Sequence, residues 1–392
     1  MLYYDTLYGE WELPKVIEEL VHTKEMARLR NIVQGTLPNN LNILGPLPSR
    51  FQHGMGVCYL AQEILKKNQK IKKDFSMLLP VSGLLHDAGN PPFSHLSEPF
   101  LKEITGHDGE SFLTEILDGS ETEKILKAYG IHTGTVVKVV TGNWKPVSDV
   151  LNGSLDIDNL DNVARYAKAT NIRINFRAEK IAELFSFENN LQTREWVFAV
   201  NFLENVLLWL QSWKDAREIV YKSIYSVPHM NMASMLNRAL EFACVENELM
   251  KDFFFLNDYG AILYLNTANK RTVALIRRLA RWECYDEVLN LEYTNPSQKI
   301  KNLVDDLIGR KMIADMIANK LKINLEDVCV SVFRGKENRK ITVPIVDSSG
   351  KMYFFNNNQN DFLQVYKIKV YLAPNLEISK EVIRDLVIEE IS

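Results

Sequence analysis

From Leu13 to about Lys320 the apolar residues recur at spacings of three and four, with few β-branched alternations, so most of this span is expected to be helical. Gly54 to Lys67 is a clear case: Val57, Leu60, Ala61, Ile64 and Leu65 share one stripe, with Glu63, Lys66 and Lys67 off it. His53, four residues before Val57, falls at the edge of that buried face. Further helices are expected over Glu195 to Trp213, Ala233 to Lys251 and Ala268 to Trp282, separated by the turn-rich NDYG and NTANK. After about Ile323 the period shortens to two. DVCVSVFR, KITVPIVD, KMYFF and VYKIKVYL read as strands punctuated by RGKENRK, SSGK and NNNQN, and Ser379 to Ile391 reads as a closing amphipathic helix. The expected fold is mainly α with a small α+β C-terminal lobe.

Composition narrows the classes. Hydrophobic residues make up 46% of the 392 and charged residues 24%, an ordinary globular balance that excludes disordered, collagen-like and low-complexity chains. Lys plus Arg number 46 against 50 Asp plus Glu, so no field of the whole protein draws nucleic acid and any polyanion site has to be local. Cys58, Cys244, Cys284 and Cys329 lie far apart with no CxxC pair, which argues against a disulfide framework or a thiolate zinc site and for a reducing cytoplasm. The opening MLYYDTLYGEWELPKV carries Asp5 and Glu10 and lacks a basic stretch before an apolar core, so no signal peptide is expected. Apolar stretches such as Met77 to Leu85 fall short of the roughly 20 residues a bilayer demands, so no membrane span is expected either.

Four of the seven histidines, His53, His86, His95 and His107, fall between residues 53 and 107. His86-Asp87 stands in GLLHDAGNPPFSH, at the end of an apolar helix that Gly89, Asn90, Pro91 and Pro92 must terminate. Adjacent helical residues diverge by roughly 100°, so this imidazole and carboxylate reach one ion only if it sits beside the helix end. His53 offers a third ligand, and the acidic run SLDIDNLDNVARYA offers a fourth from Asp156, Asp158 or Asp161. In that run Ile157, Leu160, Ala164 and Ala167 form the apolar stripe, while Asp158, Asn162, Arg165 and Tyr166 share a neighbouring face.

His53, then His86-Asp87, then Asp158 follows the H…HD…D order of the HD-domain phosphohydrolases. EMARLRNIVQG, SRFQHGMGVCYLA, GLLHDAGNPPFSHLSE, GHDGES and LDIDNLDNVAR resemble, in the same order, the blocks of the deoxynucleoside triphosphate triphosphohydrolases within that superfamily. The resemblance covers residues 1 to about 175, fades through 180 to 320, and returns in general character in the C-terminal strands. It implies a helical HD-domain core over 1–175 carrying metal and catalysis, a helical extension over 176–322 completing the pocket, and an α+β lobe over 323–392. It also implies that His53, His86, Asp87 and Asp158 hold one divalent transition metal. That mixed nitrogen and oxygen shell suits Mn, Fe, Ni or Zn without choosing among them, and Mg can accompany the nucleotide.

By the same resemblance Arg50, three residues before His53, holds a phosphate, and Gln34 lies near the sugar. His95 and Glu98, three residues apart and able to touch on a helix, are implied to be a general acid and the carboxylate that orients it. His107 aligns with a further active-site histidine of the family, and Arg217 and Tyr225 with distal contacts to phosphate and nucleoside. The chain departs from the vertebrate-type pattern at Asn90, and Asn159, Asn162 and Tyr166 replace its lysine, tyrosine and aspartate in the acidic helix. Because Asn162 and Tyr166 share the Asp158 face, the sugar-facing surface is expected to be rebuilt.

The implied reaction is attack on the α-phosphorus of a nucleoside triphosphate, with His95 protonating the departing 5′ oxygen, to give nucleoside and intact triphosphate. The enzymatic alternative is hydrolysis of a nucleoside monophosphate or another phosphoester. A different class is a nucleotide-sensing or nucleic-acid-binding protein of low turnover. Its local support is Lys270, Arg271, Arg277, Arg278 and Arg281 in one helix and Arg334, Lys336, Arg339 and Lys340 in a turn. The family resemblance further implies a homo-oligomer with nucleotide effector sites between subunits.

Overall fold

The computed structural model describes residues 1–42, 46–68, 73–189, 196–202, 205–304, 306–335, 341–356 and 365–391. Its central element is the helix Arg50–Lys67. Ser49 starts it with a capping box: its hydroxyl accepts the Gln52 N–H at 3.2 Å, while the Gln52 side chain reaches back to the Ser49 N–H at 2.9 Å. This helix packs between Lys73–Leu85 and Ile157–Ala169. The first crossing is close, because a Cβ on Gly54 would lie 2.7 Å from the Leu84 carbonyl oxygen. Met55, Val57, Leu60, Ile64, Leu79, Leu84, Leu160 and Val163 join one large core there.

A second core is shared between distant parts of the chain. Phe93, Phe100 and Phe112 pack with Met232, Leu236, Phe253 and Phe254, so Val227–Val245 and the segment after it are built onto the same body as the first 175 residues. The expected helices near 233–251 and 268–282 are present as Val227–Val245 and Lys270–Ala280.

Strands differ more from expectation. Leu2–Asp5 and Gly9–Glu12 form an antiparallel hairpin that the helical period did not announce. Over the expected helix Glu195 to Trp213, residues Trp196–Asn201 are a strand paired with Phe185–Asn189, and the helix starts only at Val206. The aromatic and β-branched WVFAVN favours a pleated, half-buried position over a helix. All four strands expected after Ile323 are present, but they divide between two sheets. Thr342–Val346 and Met352–Asn356 extend the sheet begun by Phe185–Asn189 and Trp196–Asn201. Val328–Arg334 and Tyr366–Leu372 instead join Asp286–Tyr293, a strand hidden inside the otherwise helical middle. That second sheet packs against Leu307–Leu321 and the closing helix Lys380–Ile391 around a third core, which is the small α+β lobe. The architecture is mainly α. Among the described residues no helix is long and apolar enough to cross a membrane.

Candidate metal centre and its surroundings

His53 lies in the first turn of Arg50–Lys67, and His86 and Asp87 follow the last residue of Lys73–Leu85. Asp158 sits in the first turn of Ile157–Ala169, so three element ends converge. Ligand atoms of His53, His86 and Asp158 all lie within 4.8 Å of one another. Asp87 Oδ2 is 3.4 Å from His86 Nε2 and 3.7 Å from His53 Nε2, which brings all four expected ligands together.

The protons show what this donor set can accept. His86 Nδ1 is 2.8 Å from the Gly83 carbonyl oxygen, which can only accept, so the Nδ1 proton is committed there and Nε2 carries a lone pair. His53 Nδ1 faces Asp161 Oδ2 at 2.7 Å and is likewise the donor. The two Nε2 atoms then meet at 3.2 Å, with Asp158 Oδ1 2.9 Å from that of His53. Two imidazole lone pairs and two carboxylates, with His53, His86 and Asp87 buried and Asp158 partly exposed, fit a divalent cation. Without one, a single proton has to serve: burial alone would lower the His53 pKa, but Asp158 and Asp161 outweigh it and push it up to about 9.

Behind His53 stands a buried chain of charges. Of the three candidate acids, Asp156 is the helix N-cap, its carboxylate accepting the Asn159 N–H at 2.7 Å, Asp158 faces the metal space, and Asp161 grips the far side of His53. Arg165 binds Asp161 with two parallel contacts of 2.8 and 2.9 Å and reaches Asp5 at 3.1 Å. The Tyr8 hydroxyl donates to Asp161 at 2.8 Å. Burial would raise the Asp161 pKa, but Arg165 and the His53 bond bring it down to about 2, so it stays an acceptor. Gly56 admits this cluster, since a Cβ there would lie 2.0 Å from Asp161 Oδ1. Asp5 and Tyr8 were invisible as site residues in the sequence, because they come from a strand end and the turn of the N-terminal hairpin, with no helical phase to read.

Arg50 is buried, with Nη1 2.8 Å from Asp87 Oδ2 and Nε 3.0 Å from the Ser94 hydroxyl. Burial would raise the Asp87 pKa, but Arg50 and the two imidazoles hold it well below the usual carboxylate range. Asn90 donates to the other oxygen of Asp87, so it serves the metal-facing carboxylate. His95 Nδ1 meets Glu98 Oε2 at 3.0 Å, as the three-residue spacing predicted, and its side chain is 55% exposed. A Cβ on Gly109 would crowd Glu98 and Asn90 at 2.7 and 2.8 Å, which brings the GHDGES loop against this corner. From that loop the Glu110 carboxyl, on a residue with an exposed surface, is pushed up to about 7 by burial of the group and by Asp108, Asp158, Glu98 and Asp87. His107 lies 3.7 Å from Glu115 and beside Phe112.

The expected sugar-side residues divide. Gln34 is buried and donates to Asn162 Oδ1 at 3.1 Å, so these two are brought together beside Asp158. Tyr166 is 2% exposed and packs in the main core, Arg217 lies over the Tyr221 ring at 4.2 Å, and Tyr225 stacks on Phe333 with ring centres 5.1 Å apart. In the basic helix Arg271, Arg278 and Arg281 face Glu326, Asp327 and Glu283 at 3.7, 2.8 and 3.6 Å. Arg334 ends a strand, and Lys336, Arg339 and Lys340 lie outside the described residues.

No protein-family model matches the chain. It is 26% identical to an uncharacterized protein of Methanocaldococcus jannaschii over 75% of this chain and 61% of that protein. An HD domain-containing protein of Acanthamoeba polyphaga mimivirus is 22% identical over 59% of this chain and 55% of its own length. The likeness to the mimivirus protein, with the cluster of His53, His86 and Asp158, supports a place in the HD-domain superfamily. Within it the chain resembles the deoxynucleoside triphosphate triphosphohydrolases: the SAMHD1 homolog of that name from Dictyostelium discoideum is 24% identical over 41% of this chain and 35% of its own length. The chain spans about three fifths of the length of the first two relatives it matches, 61% and 63%.

Proposed function

We propose that the chain is a metal-dependent phosphohydrolase that converts deoxynucleoside or ribonucleoside triphosphates to nucleoside and intact triphosphate. The observation that carries this reading is the meeting of His53 and His86 Nε2 lone pairs with Asp158 and Asp87 beside a buried arginine. His53, His86, Asp87 and Asp158 would hold the ion, and their nitrogen and oxygen donors fit Mn, Fe, Ni or Zn. When bound, such an ion lowers the pKa of water and draws charge from a phosphoryl oxygen.

The chain's own residues supply the rest. Arg50 is held with its guanidinium against Asp87, where it offsets negative charge developing on an entering phosphate. Water adds to the α-phosphorus, the bond to the 5′ oxygen breaks, and His95 gives that oxygen a proton. Glu98 fixes the His95 ring through Nδ1 and leaves Nε2 for this transfer. The Gln34 and Asn162 amides form the sugar-facing wall, rebuilt by Asn162 where the vertebrate-type pattern has tyrosine. Ion pairing of the basic helix weighs against nucleic-acid binding as the main role. Four free cysteines support a reducing, cytoplasmic setting, and a homo-oligomer with a nucleotide effector belongs to this reading by resemblance alone.

The test is a product assay on the four dNTPs and four NTPs, singly and mixed, with Mn or Mg and Asp87→Ala as control. Nucleoside plus triphosphate, absent in the variant, is the expected result. Eight intact nucleotides would sink the reading and turn attention to phosphomonoesters.

A further inference from the structure

We infer that Asp258 is a positioning residue that sets Arg50 and the His95 loop from the second half of the chain, an inference that rests on the phosphohydrolase reading. Asp258 opens the helix Asp258–Leu265 and is 1% exposed. Its Oδ2 accepts the Val33 N–H at 2.9 Å and its Oδ1 accepts the Phe93 N–H at 2.8 Å. Its own N–H donates to the Asn31 carbonyl oxygen at 3.1 Å. One carboxylate thus ties together the two stretches that lead to Gln34 and to His95.

The relay continues to the phosphate-facing arginine. The Ser94 hydroxyl donates to the Val33 carbonyl oxygen at 2.8 Å and accepts Arg50 Nε–H at 3.0 Å. Phe93 and Ser94 have φ of 64° and 53°, a left-handed conformation that non-glycine residues adopt only when the surroundings hold them there. Asp258 supplies that hold at Phe93, next to the serine that orients Arg50 and two residues before His95. Arg28 reinforces it: Nη1 donates to the Leu256 carbonyl oxygen at 3.2 Å and Nη2 to that of Ala88, adjoining Asp87, at 2.6 Å. Arg50 and Arg28 both act on Asp258 by lowering its pKa through their charges.

A purely structural staple predicts something different from a relay. A staple lowers stability and leaves turnover per folded molecule alone, and its effect adds to that of Ser94. A relay acts through Ser94, so removing both costs no more than removing one. The experiment is a double-mutant cycle of Asp258→Asn and Ser94→Ala in the full chain loaded with Mn. Metal content, Tm, kcat, KM and the calorimetric Kd for inorganic triphosphate are all measured. An Asn keeps the shape but turns an N–H toward one of the two donors. Each single variant is expected to lower kcat/KM about 10- to 100-fold, the worth of a hydrogen bond to a charged group, with one metal per chain retained. The double variant is expected to match the worse single. If Asp258→Asn is insoluble, Asp258→Glu, which keeps the charge and shifts the oxygens, takes its place in the cycle. Additive losses, or wild-type kcat/KM with only Tm lowered, would overturn the relay while leaving the phosphohydrolase reading intact. If wild type hydrolyses none of the eight nucleotides, which sinks the triphosphohydrolase reading, the same cycle is read on the Kd for inorganic triphosphate. Failure to bind that ligand would overturn the relay as well.

Discussion

Asp161 Oδ2 holds His53 Nδ1 at 2.7 Å, on the side of the ring opposite Asp158. The bond decides which nitrogen carries the proton and so which one is left to bind metal. Asp161→Asn keeps the volume but can turn an N–H toward Nδ1, which drives the proton to the ligating nitrogen. Metal affinity is expected to fall about 10- to 100-fold, the usual cost of losing an outer partner of a metal-bound histidine. Competition with a chelator measures it. Unchanged affinity would reduce Asp161 to a packing residue.

Gly56 makes that arrangement possible by leaving space. In Gly56→Ala the new Cβ would lie 2.0 Å from Asp161 Oδ1 and 2.3 Å from Arg165 Nη2, both on buried side chains, so the pair has to shift. Overpacking of this kind costs about 1–3 kcal/mol, and here the displaced group is the one that orients His53. Lower stability in urea together with weaker metal binding is expected. Lower stability with full affinity would separate the two roles.

The proton on His53 competes with the metal. Its pKa of about 9 in the metal-free protein lies above the ordinary 6.5, so at neutral pH an imidazolium occupies the space between Asp158 and Asp161. Binding a cation has to release that proton. Affinity is therefore expected to rise by up to about tenfold per pH unit until pH 9 and to level off beyond it. For the metal-free protein the sign is the reverse. The raised pKa contributes stability that is fully present below 6.5 and lost as pH rises through 9. Titration calorimetry in buffers of different ionisation enthalpy counts the proton. Zero protons released at pH 7 would show that His53 is already neutral.

Helices, and the candidate residues His53, His86 and Asp158 that the fold brings together, were legible in the sequence where the information is local. The stripe from Val57 to Leu65 fixes the face of its helix, and the phase of SLDIDNLDNVARYA separates Asp158 from the apolar side. Phase alone did not separate the roles of the three acids, because those depend on which neighbour each side chain meets. Asp161 is defined by His53, 108 residues away in sequence, and by Tyr8, 153 residues away. The strand Asp286–Tyr293 was hidden for a related reason: its partner Tyr366–Leu372 is distant, and eight residues inside a helical stretch carry too short a period to stand out. Asp258 falls in NDYG, which reads locally as a turn between helices, whereas it opens the helix Asp258–Leu265. Only the fold brings it to Val33 and Phe93.

Asp258 also carries a pH signature opposite to that of the metal-site acids. Burial raises its pKa from 3.8 to about 6, against the lowering effects of the Phe93 and Val33 N–H groups and of Arg50 and Arg28. The folded protein therefore binds this proton more tightly than the unfolded chain. The group's contribution to stability is greatest below about pH 4 and declines as pH rises through 6, by about 3 kcal/mol for a shift of roughly two units. Asp87, Asp158 and Asp161, with lowered pKa values, contribute stability above their unfolded pKa that is lost as pH falls, so the wild-type curve alone mixes both trends. Subtracting Asp258→Asn isolates the term. In urea unfolding between pH 4.5 and 7.5, wild type is expected to lose ground to the variant as pH rises through about 6 and to hold level beyond it. A constant difference across that range would mean that Asp258 titrates normally. At neutral pH the protein then keeps an ionised, buried carboxylate at a cost in stability, a cost offset in part by two backbone N–H groups that donate to it, one to each oxygen.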